Sequence, residues 1–254
     1  MKALIKFLMR FVPRPMLIRF SYPFRAIIKW FYKGDKYQCS ICDEKFRKLL
    51  PYGFYSRENA LCPNCLSLER HRLMWYVLQN KTNFFTANLK VLHVAPEQAF
   101  LERFSKMKNL SYDTADLVSP IATIKMDIQD MPIDDNTYDV VFCNHVLEHV
   151  TDDHKAMTEI YRVLKPGGFA ITQVPLRRDH ETTYEDPTIT SRKEREIHFG
   201  QYDHVRWYGL DYPAKLKDAG FDVEEIYPYE EIGEEGYIKH CLPKEERLYL
   251  LHKS

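Results

Sequence analysis

The sequence lacks several features that would place it in a specialised class of protein. It has no uncharged apolar run near the roughly 18 residues that a transmembrane helix needs. It has no internal repeat and no low-complexity tract, and its basic and acidic residues balance at 36 each. With 254 residues, 45% hydrophobic and 28% charged, the chain is predicted to be globular, with one sizeable core and a small appendage.

Acidic residues are absent from residues 1–33, which carry eight Lys or Arg residues among many Phe, Leu and Ile residues. Lys6 and Arg10 interrupt the apolar run, so the segment does not resemble a signal peptide. Three prolines divide it into short helices. A cationic amphipathic segment of this kind predicts peripheral contact with the anionic inner face of the cell membrane; packing on protein is the alternative.

The six cysteines do not indicate a disulfide scaffold, because four of them form two C-x-x-C pairs. Cys39, Cys42, Cys62 and Cys65 have the spacing C-x2-C-x19-C-x2-C. Two turns that each present two thiolates can close a tetrahedral zinc site, and four thiolates leave no open position. Residues 34–68 are therefore predicted to form a structural zinc-ribbon-like module, in a reducing, cytoplasmic setting.

Strand and helix patterns alternate through residues 69–175. VLHVA (91–95), YDVVFCN (138–144) and FAITQVP (169–175) are predicted strands, and residues 152–164 have helical spacing. Continuous apolar strands separated by helices predict an α/β fold, with a parallel sheet covered by helices on both faces.

The stretch YDVVFCNHVLEHVTDDHKAMTEIYRVLKPGGFAITQVP resembles the second half of a class I, type 11-like S-adenosylmethionine-dependent methyltransferase domain. Its EIYRVLKPGG run, followed at once by a strand, is a specific signature of that group. The resemblance covers about residues 69–254. It implies a Rossmann-like, seven-stranded, mostly parallel sheet, S-adenosylmethionine as the cofactor, and an acceptor cap at residues 176–211.

Ligands of open α/β sheets bind at the carboxyl ends of the strands. Asp116 ends the predicted strand LSYDTAD, where a carboxylate can accept from both ribose hydroxyls, and Leu117 follows it. The resemblance implies that Asp127 contacts the adenine amino group, with the Ile128 amide facing a ring nitrogen. It also implies that Asn144 approaches the methionine part of the cofactor.

The first loop departs from the glycine-rich pattern of that family. It reads His93-Val94-Ala95-Pro96-Glu97 and contains no glycine to ease a close approach of the backbone to a ligand. We predict that His93, Ala95 and Pro96 belong to the cofactor site and that Glu97 meets the cofactor's ammonium group. A catalytically inactive scaffold is the alternative that this loop supports.

Arg70 and Arg72 begin a predicted helix directly after the cysteine module. Such a helix often covers the cofactor in the superfamily that the chain resembles. One of the two arginines is therefore predicted to pair with the methionine carboxylate by a charge-assisted bond. A solvated basic face is the alternative.

Four histidines are candidate general bases for the methyl acceptor, because imidazole exchanges protons near neutral pH. His145 and His149 follow the YDVVFCN strand, and His198 and His204 lie in the predicted cap. A structural role is the alternative for each of them.

Together these features predict a methyltransferase that acts on a small-molecule, lipid-linked or glycan acceptor by O- or N-methylation. The alternative acceptor is RNA, gripped by the zinc module. Against it, residues 34–68 carry five Lys or Arg residues and four Asp or Glu residues, which is close to balance.

Overall fold

The structure is a computed structural model that describes residues 25–53 and 56–254. Most of the predicted basic segment, residues 1–24, lies outside the described residues, so its membrane contact stays a prediction. Residues 25–32 are helical. Across the part of the chain that the structure describes, no helix is long and apolar enough to cross a membrane.

The chain divides into two compact units, and the first contains the described residues up to Thr82 together with Pro228–Glu246. Besides the helical residues 25–32, its described elements are two hairpins and two helices, namely β1 (Lys33–Gln38), β2 (Lys45–Phe46), β3 (Leu50–Tyr52), β4 (Arg57–Leu61), α1 (Glu69–Asn80) and α6 (Tyr229–His240). The predicted boundary after residue 68 differs from this division, because α1 and α6 group with the cysteine-bearing hairpins.

Arg72 on α1 holds the first unit together from its interior. Its fully buried guanidinium donates at 2.8–3.4 Å to five main-chain oxygens, those of Asn59, Ala60, Ser67, His240 and Cys241. A guanidinium has five N–H donors, so none remains for a ligand. The structure thus corrects the predicted contact of Arg72 with the cofactor and makes Arg72 a structural residue.

The second unit, Asn83–Tyr227 with Arg247–Ser254, is built around a seven-stranded sheet. The strands in chain order are β5 (Leu89–Val94), β6 (Leu110–Asp116), β7 (Ile124–Lys125), β8 (Tyr138–Cys143), β9 (Leu164–Ile171), β12 (Asp222–Ile226) and β13 (Leu248–His252). Their spatial order is β12-β13-β9-β8-β5-β6-β7, and β13 runs antiparallel to both of its neighbours. The other neighbouring pairs are parallel. This confirms the predicted Rossmann-like fold.

Helices and a small hairpin complete the second unit. They are α2 (Gln98–Phe104), a 3-10 turn (Leu147–His149), α3 (Asp153–Val163), β10 (Tyr184–Glu185), α4 (Arg192–Phe199), β11 (Arg206–Trp207) and α5 (Tyr212–Asp218). The Asp152 carboxylate begins α3 by accepting from the Lys155 amide at 2.9 Å. The helix ends at Val163, close to the predicted end before Lys165-Pro166.

Alternation along β5 distributes its side chains between the two faces of the sheet. Leu92 and Val94 join the main apolar cluster, to which α3 contributes Met157 and Ile160. His93 points to the other face, where its ring lies 5.6 Å from that of Phe142. Both faces are buried, as a parallel sheet covered by helices requires.

Replacing Arg72 with Lys should destabilise the protein, because a lysine cannot reach five main-chain oxygens. We expect a loss of about 2–4 kcal/mol, the range for buried acceptors left without a donor. Chemical denaturation of Arg72→Lys measures it. Arg57→Lys is the matched control, since Arg57 is half exposed and a lysine there can keep the ion pair with Glu69. Equal midpoints for the two variants would contradict the structural role of Arg72.

Candidate functional site

The four predicted zinc ligands lie together in the first unit. Their four sulfur atoms, those of Cys39, Cys42, Cys62 and Cys65, all lie within 4.8 Å of one another. The Sγ atoms of Cys39 and Cys65 are 3.6 Å apart, and those of Cys42 and Cys62 are 3.7 Å apart. Thiolates about 2.3 Å from a tetrahedral zinc ion lie about 3.8 Å from one another. These separations fit zinc and are far too long for disulfide bonds.

The two cysteine pairs lie on turns with the same backbone geometry. Cys39 accepts at its main-chain oxygen from the amide of Asp43, and Cys62 accepts in the same way from Leu66. Asp43 and Leu66 both have a φ of 59°, in the left-handed region. The second pair therefore repeats the first, and the two turns present their thiolates to one point.

In the second unit, polar residues collect at one edge of the sheet. Asp116 is the last residue of β6, whereas Glu97, Asn144 and Asp127 follow the ends of β5, β8 and β7. Because these four strands are parallel neighbours, their carboxyl ends share that edge. The edge is where open α/β sheets bind ligands.

His93, inside β5, orients the side chain of Glu97. Its Nε2 lies 2.8 Å from a carboxylate oxygen of Glu97, and its Nδ1 lies 2.7 Å from the Tyr112 hydroxyl. Burial and the charge of Glu97 raise the pKa of Tyr112, so its hydroxyl stays protonated. His93 is fully buried with both ring nitrogens engaged, so it positions Glu97 instead of touching a ligand as predicted.

Ala95 takes the backbone conformation that a glycine would normally provide. Its φ is 47°, and its amide donates to the Ala115 oxygen at 2.7 Å. A left-handed conformation costs a residue with a side chain about 1–2 kcal/mol. The turn after β5 therefore bends sharply even though it contains no glycine.

Asp116 and Asp127 differ in how much of each carboxylate is already used. Asp116 accepts at Oδ1 from the amides of Val118 and Ser119 at 2.8 and 2.7 Å, and no described residue bonds its Oδ2. Asp127 accepts at Oδ1 from the Gln129 amide at 2.9 Å and faces the Gln129 side chain with both oxygens. Asp116 thus has an oxygen ready for a ligand.

Asn144 and His145 join the ends of β8 and β9. Asn144 is buried and accepts at Oδ1 from the Gln173 amide at 3.2 Å. The His145 amide donates to the Gln173 oxygen at 2.7 Å. His145 also has a positive φ of 54°, so the chain turns sharply as it leaves the sheet.

The structure brings three of the four predicted histidines to one region and separates the fourth. His145 approaches Glu148 at 3.4 Å, and the rings of His149 and His204 lie 4.7 Å apart, edge to face. His198 lies exposed on α4 beside the Tyr184 hydroxyl. Its Nδ1 lies 3.3 Å from that hydroxyl.

Arg206 on β11 anchors the cap to the turn after β8. Its buried guanidinium donates at 2.6–3.0 Å to three main-chain oxygens, those of Leu147, Val150 and Thr151. It also bonds Glu185 at 2.9 Å and lies 3.7 Å from Asp153. Burial raises the pKa of Asp153, but the charge of Arg206 and other neighbours lower it further than burial raises it. The Asp153 carboxyl group therefore stays charged.

Sequence reasoning missed Glu148 and Gln129 as members of this region. Glu148 is buried between candidate histidines, and Gln129 accepts from the Thr151 hydroxyl and the Asp152 amide at 2.9 Å each. An acid next to His149 after a predicted strand is a signal that could have identified Glu148. No local pattern identifies Gln129.

Comparisons with known proteins find methyltransferases that are similar to part of this chain. Residues 80–172 match the family model described as a methyltransferase domain. Over 52 residues, 20% of this chain, the sequence is 40% identical to the ubiquinone/menaquinone biosynthesis C-methyltransferase UbiE of Idiomarina loihiensis. Over 86 residues, 33% of the chain, it is 36% identical to the sterol 4-C-methyltransferase strm-1 of Caenorhabditis elegans.

These matches are partial. They span 21% and 23% of the two relatives' own lengths. A solved S-adenosylmethionine dependent methyltransferase from Mesorhizobium loti aligns over 70% of this chain and 95% of that chain, with a TM-score of 0.47 and 14% identity. The matched segment, residues 80–172, is similar to methyltransferase domains and contributes strands to the seven-stranded sheet.

Replacing Cys62 with Ser should remove the thiolate-bound metal, because three thiolates and a hydroxyl bind zinc far more weakly than four thiolates. The measurement is cobalt substitution, in which thiolate ligands give an intense charge-transfer absorption. Cys241→Ser is the matched control, because Cys241 lies outside the cluster. If both variants keep the absorption of the unmodified protein, the four cysteines do not form the site.

Proposed function

We propose that this protein transfers a methyl group from S-adenosylmethionine to an acceptor held by the cap of residues 176–211. The proposal rests mainly on the set of Glu97, Asp116, Asp127 and Asn144 at the carboxyl ends of neighbouring strands. All four residues lie in the segment that matches the methyltransferase family model, at or just after the ends of its strands.

Glu97 and Asp116 would hold the two ends of the cofactor. Glu97 would pair with the ammonium group of the methionine part, because His93 already orients its carboxylate. Asp116 would accept from the ribose hydroxyls through Oδ2. Leu117 is 56% exposed beside Asp116, so it offers apolar surface to the adenine ring. Asn144 would approach the methionine part.

Asp127 and Ile128 would contact the adenine. Asp127 would accept from the amino group, and the Ile128 amide would face a ring nitrogen. The Gln129 side chain bonds the Asp127 carboxylate at 3.1 and 3.2 Å, so the adenine would share that carboxylate with Gln129. Ala95 and Pro96 would bring the backbone of the first turn beside the ligand.

Methyl transfer is a direct displacement, so the chief task of the protein is to align acceptor, methyl group and sulfur. One of His145, His149 and His204, which lie in or beside the turn after β8, would accept a proton from the acceptor. His198 is a weaker candidate because it pairs with Tyr184 away from that turn. The acceptor would be a small molecule, a lipid-linked intermediate or a glycan, methylated on oxygen or nitrogen.

Two named relatives are C-methyltransferases, so the acceptor atom needs a product analysis that separates O-, N- and C-methyl groups. An RNA acceptor is the second candidate. The near-balanced charge of residues 34–68 disfavours an RNA acceptor. RNA binding whose affinity falls as the salt concentration rises would support an RNA acceptor.

The cysteine cluster would hold a structural zinc ion. The two repeated turns and the sulfur separations support zinc, and the four thiolates leave no position for a substrate. The Ser67 Oγ lies 3.3 and 3.2 Å from the sulfurs of Cys39 and Cys65, so its single O–H would donate to one of the two thiolates.

Replacing Asp116 with Asn should weaken binding of S-adenosylmethionine by roughly 10- to 100-fold, the effect of losing charge-assisted bonds of about 1.5–3 kcal/mol. Isothermal titration calorimetry measures it. Asp222→Asn is the matched control, because Asp222 begins β12 at the opposite edge of the same sheet. Failure of the unmodified protein to bind the cofactor would favour an inactive scaffold.

Peripheral membrane attachment of the amino-terminal segment is supported by exposed apolar side chains on the helical residues 25–32. Ile27, Trp30 and Phe31 are 58%, 72% and 58% exposed. Such a surface suits either an anionic bilayer or a protein partner.

Replacing Trp30 with Ser should lower binding to vesicles of anionic lipid, because the indole would otherwise enter the interface. Co-sedimentation with vesicles measures the bound fraction. Tyr202→Ser, an exposed aromatic of the cap, is the matched control and should leave binding unchanged. If Trp30→Ser binds the vesicles as well as the unmodified protein does, membrane contact is contradicted and packing on protein is favoured.

A further inference from the structure

Glu148 is a buried carboxylate that lacks a strong cationic partner. It is 2% exposed, and its Oε2 has no hydrogen-bond partner among the described residues. Its Oε1 lies 3.4 Å from Nδ1 of His145, longer than a good charge-assisted hydrogen bond. A carboxylate buried in this way is costly unless a cation compensates its charge.

Two imidazoles lie beside this carboxylate. One ligand atom from each of Glu148, His149 and His204 lies within 4.8 Å of the other two. His204 is 6% exposed, its ring bonds the main chain of Phe199, and its Nδ1 is buried without a described partner. An imidazole that uses one nitrogen on a main-chain group and offers the other is the usual form of a metal ligand.

The main chain holds these three side chains in place. Glu148 and His149 belong to the 3-10 turn, whose Leu147 oxygen accepts from Arg206. The Glu148 oxygen accepts from the Val205 amide at 2.9 Å, next to His204. These two bonds join the turn to the cap segment beside the cluster. A metal site needs rigidly held ligands of this kind.

We propose that Glu148, His149 and His204 bind a divalent first-row metal ion such as Zn2+, separate from the four-thiolate site. Two imidazoles and one carboxylate suit such an ion better than Mg2+ or Ca2+, which prefer oxygen ligands. Ligands about 2.0–2.2 Å from a shared ion lie closer together than 4.8 Å, and His149, at 30% exposure, has room to move inward.

Three protein ligands leave an open coordination position. The cluster follows β8 directly after Asn144, at the same edge as the carboxylates of the cofactor site. Resting on the proposed function, the open position takes an oxygen or nitrogen atom of the methyl acceptor and holds it near the methyl group. This selects acceptors that carry a donor atom able to bind a metal.

The test counts metal ions on the full-length protein after equilibration with Zn2+ and removal of loosely bound metal. The unmodified protein should hold two zinc ions per chain by elemental analysis. Glu148→Gln should hold one and should bind the second ion more than about 100-fold more weakly, because even the loss of a residue that orients a ligand costs up to about 100-fold. With cobalt, its thiolate absorption should be unchanged.

Matched variants make the count specific. His154→Asn removes an exposed histidine of α3 outside the cluster and should keep two ions. If Glu148→Gln does not fold, as judged by circular dichroism, His149→Asn replaces it, because His149 is partly exposed. One zinc ion on the unmodified protein, or two on the folded ligand variant, overturns the proposal.

Cofactor binding on the same samples separates this proposal from the proposed function. Two zinc ions without binding of S-adenosylmethionine would refute the function and support the metal site. Binding of S-adenosylmethionine with a single zinc ion would support the function and refute the metal site.

Discussion

Parallel pairing around β5 is the constraint on which the candidate site depends. Val94, at the end of β5, lies opposite Ala115 of β6 and Cys143 of β8, so the three strands finish together. Every segment that leaves them begins at the same edge. The first turn, the loop after Asp116 and the turn after β8 are therefore neighbours, although other elements separate them in the chain.

The first turn shows how this edge can serve a cofactor without a glycine-rich loop. Glycine loops suit phosphates, because their backbone amides approach an anion closely. The cofactor proposed here carries an ammonium group and a sulfonium and no phosphate. A carboxylate such as Glu97, held by buried His93, complements that charge, while Ala95 bears the backbone strain of the sharp turn.

Each of the two units contains a buried arginine that bonds several main-chain oxygens. Irregular segments cannot satisfy their own main-chain oxygens, and buried oxygens need donors. Within the first unit, Arg72 gathers five of them. Within the second, Arg206 gathers three from the turn after β8. That turn carries both the candidate bases and the buried Glu148, so Arg206 gives a short loop the rigidity of a regular element.

Local patterns in the sequence were sufficient for the elements and for several ligands. The predicted strand at 110–116 is β6, and the helix predicted at 152–164 is α3, because apolar period and capping residues act within a few positions. The spacing of the four cysteines predicted their cluster for the same reason. The sequence did not predict α6 or the short strand β7, whose patterns are too brief or too mixed.

Tertiary structure decided which residues act together. Arg72 bonds the oxygen of His240, 168 positions away, and so loses its predicted place at the cofactor. His149 meets His204 only because the cap returns to the turn after β8, whereas His198 faces Tyr184. A sequence records local period and spacing, but contacts between distant segments depend on how the chain packs, and these contacts determine the chemistry of each side chain.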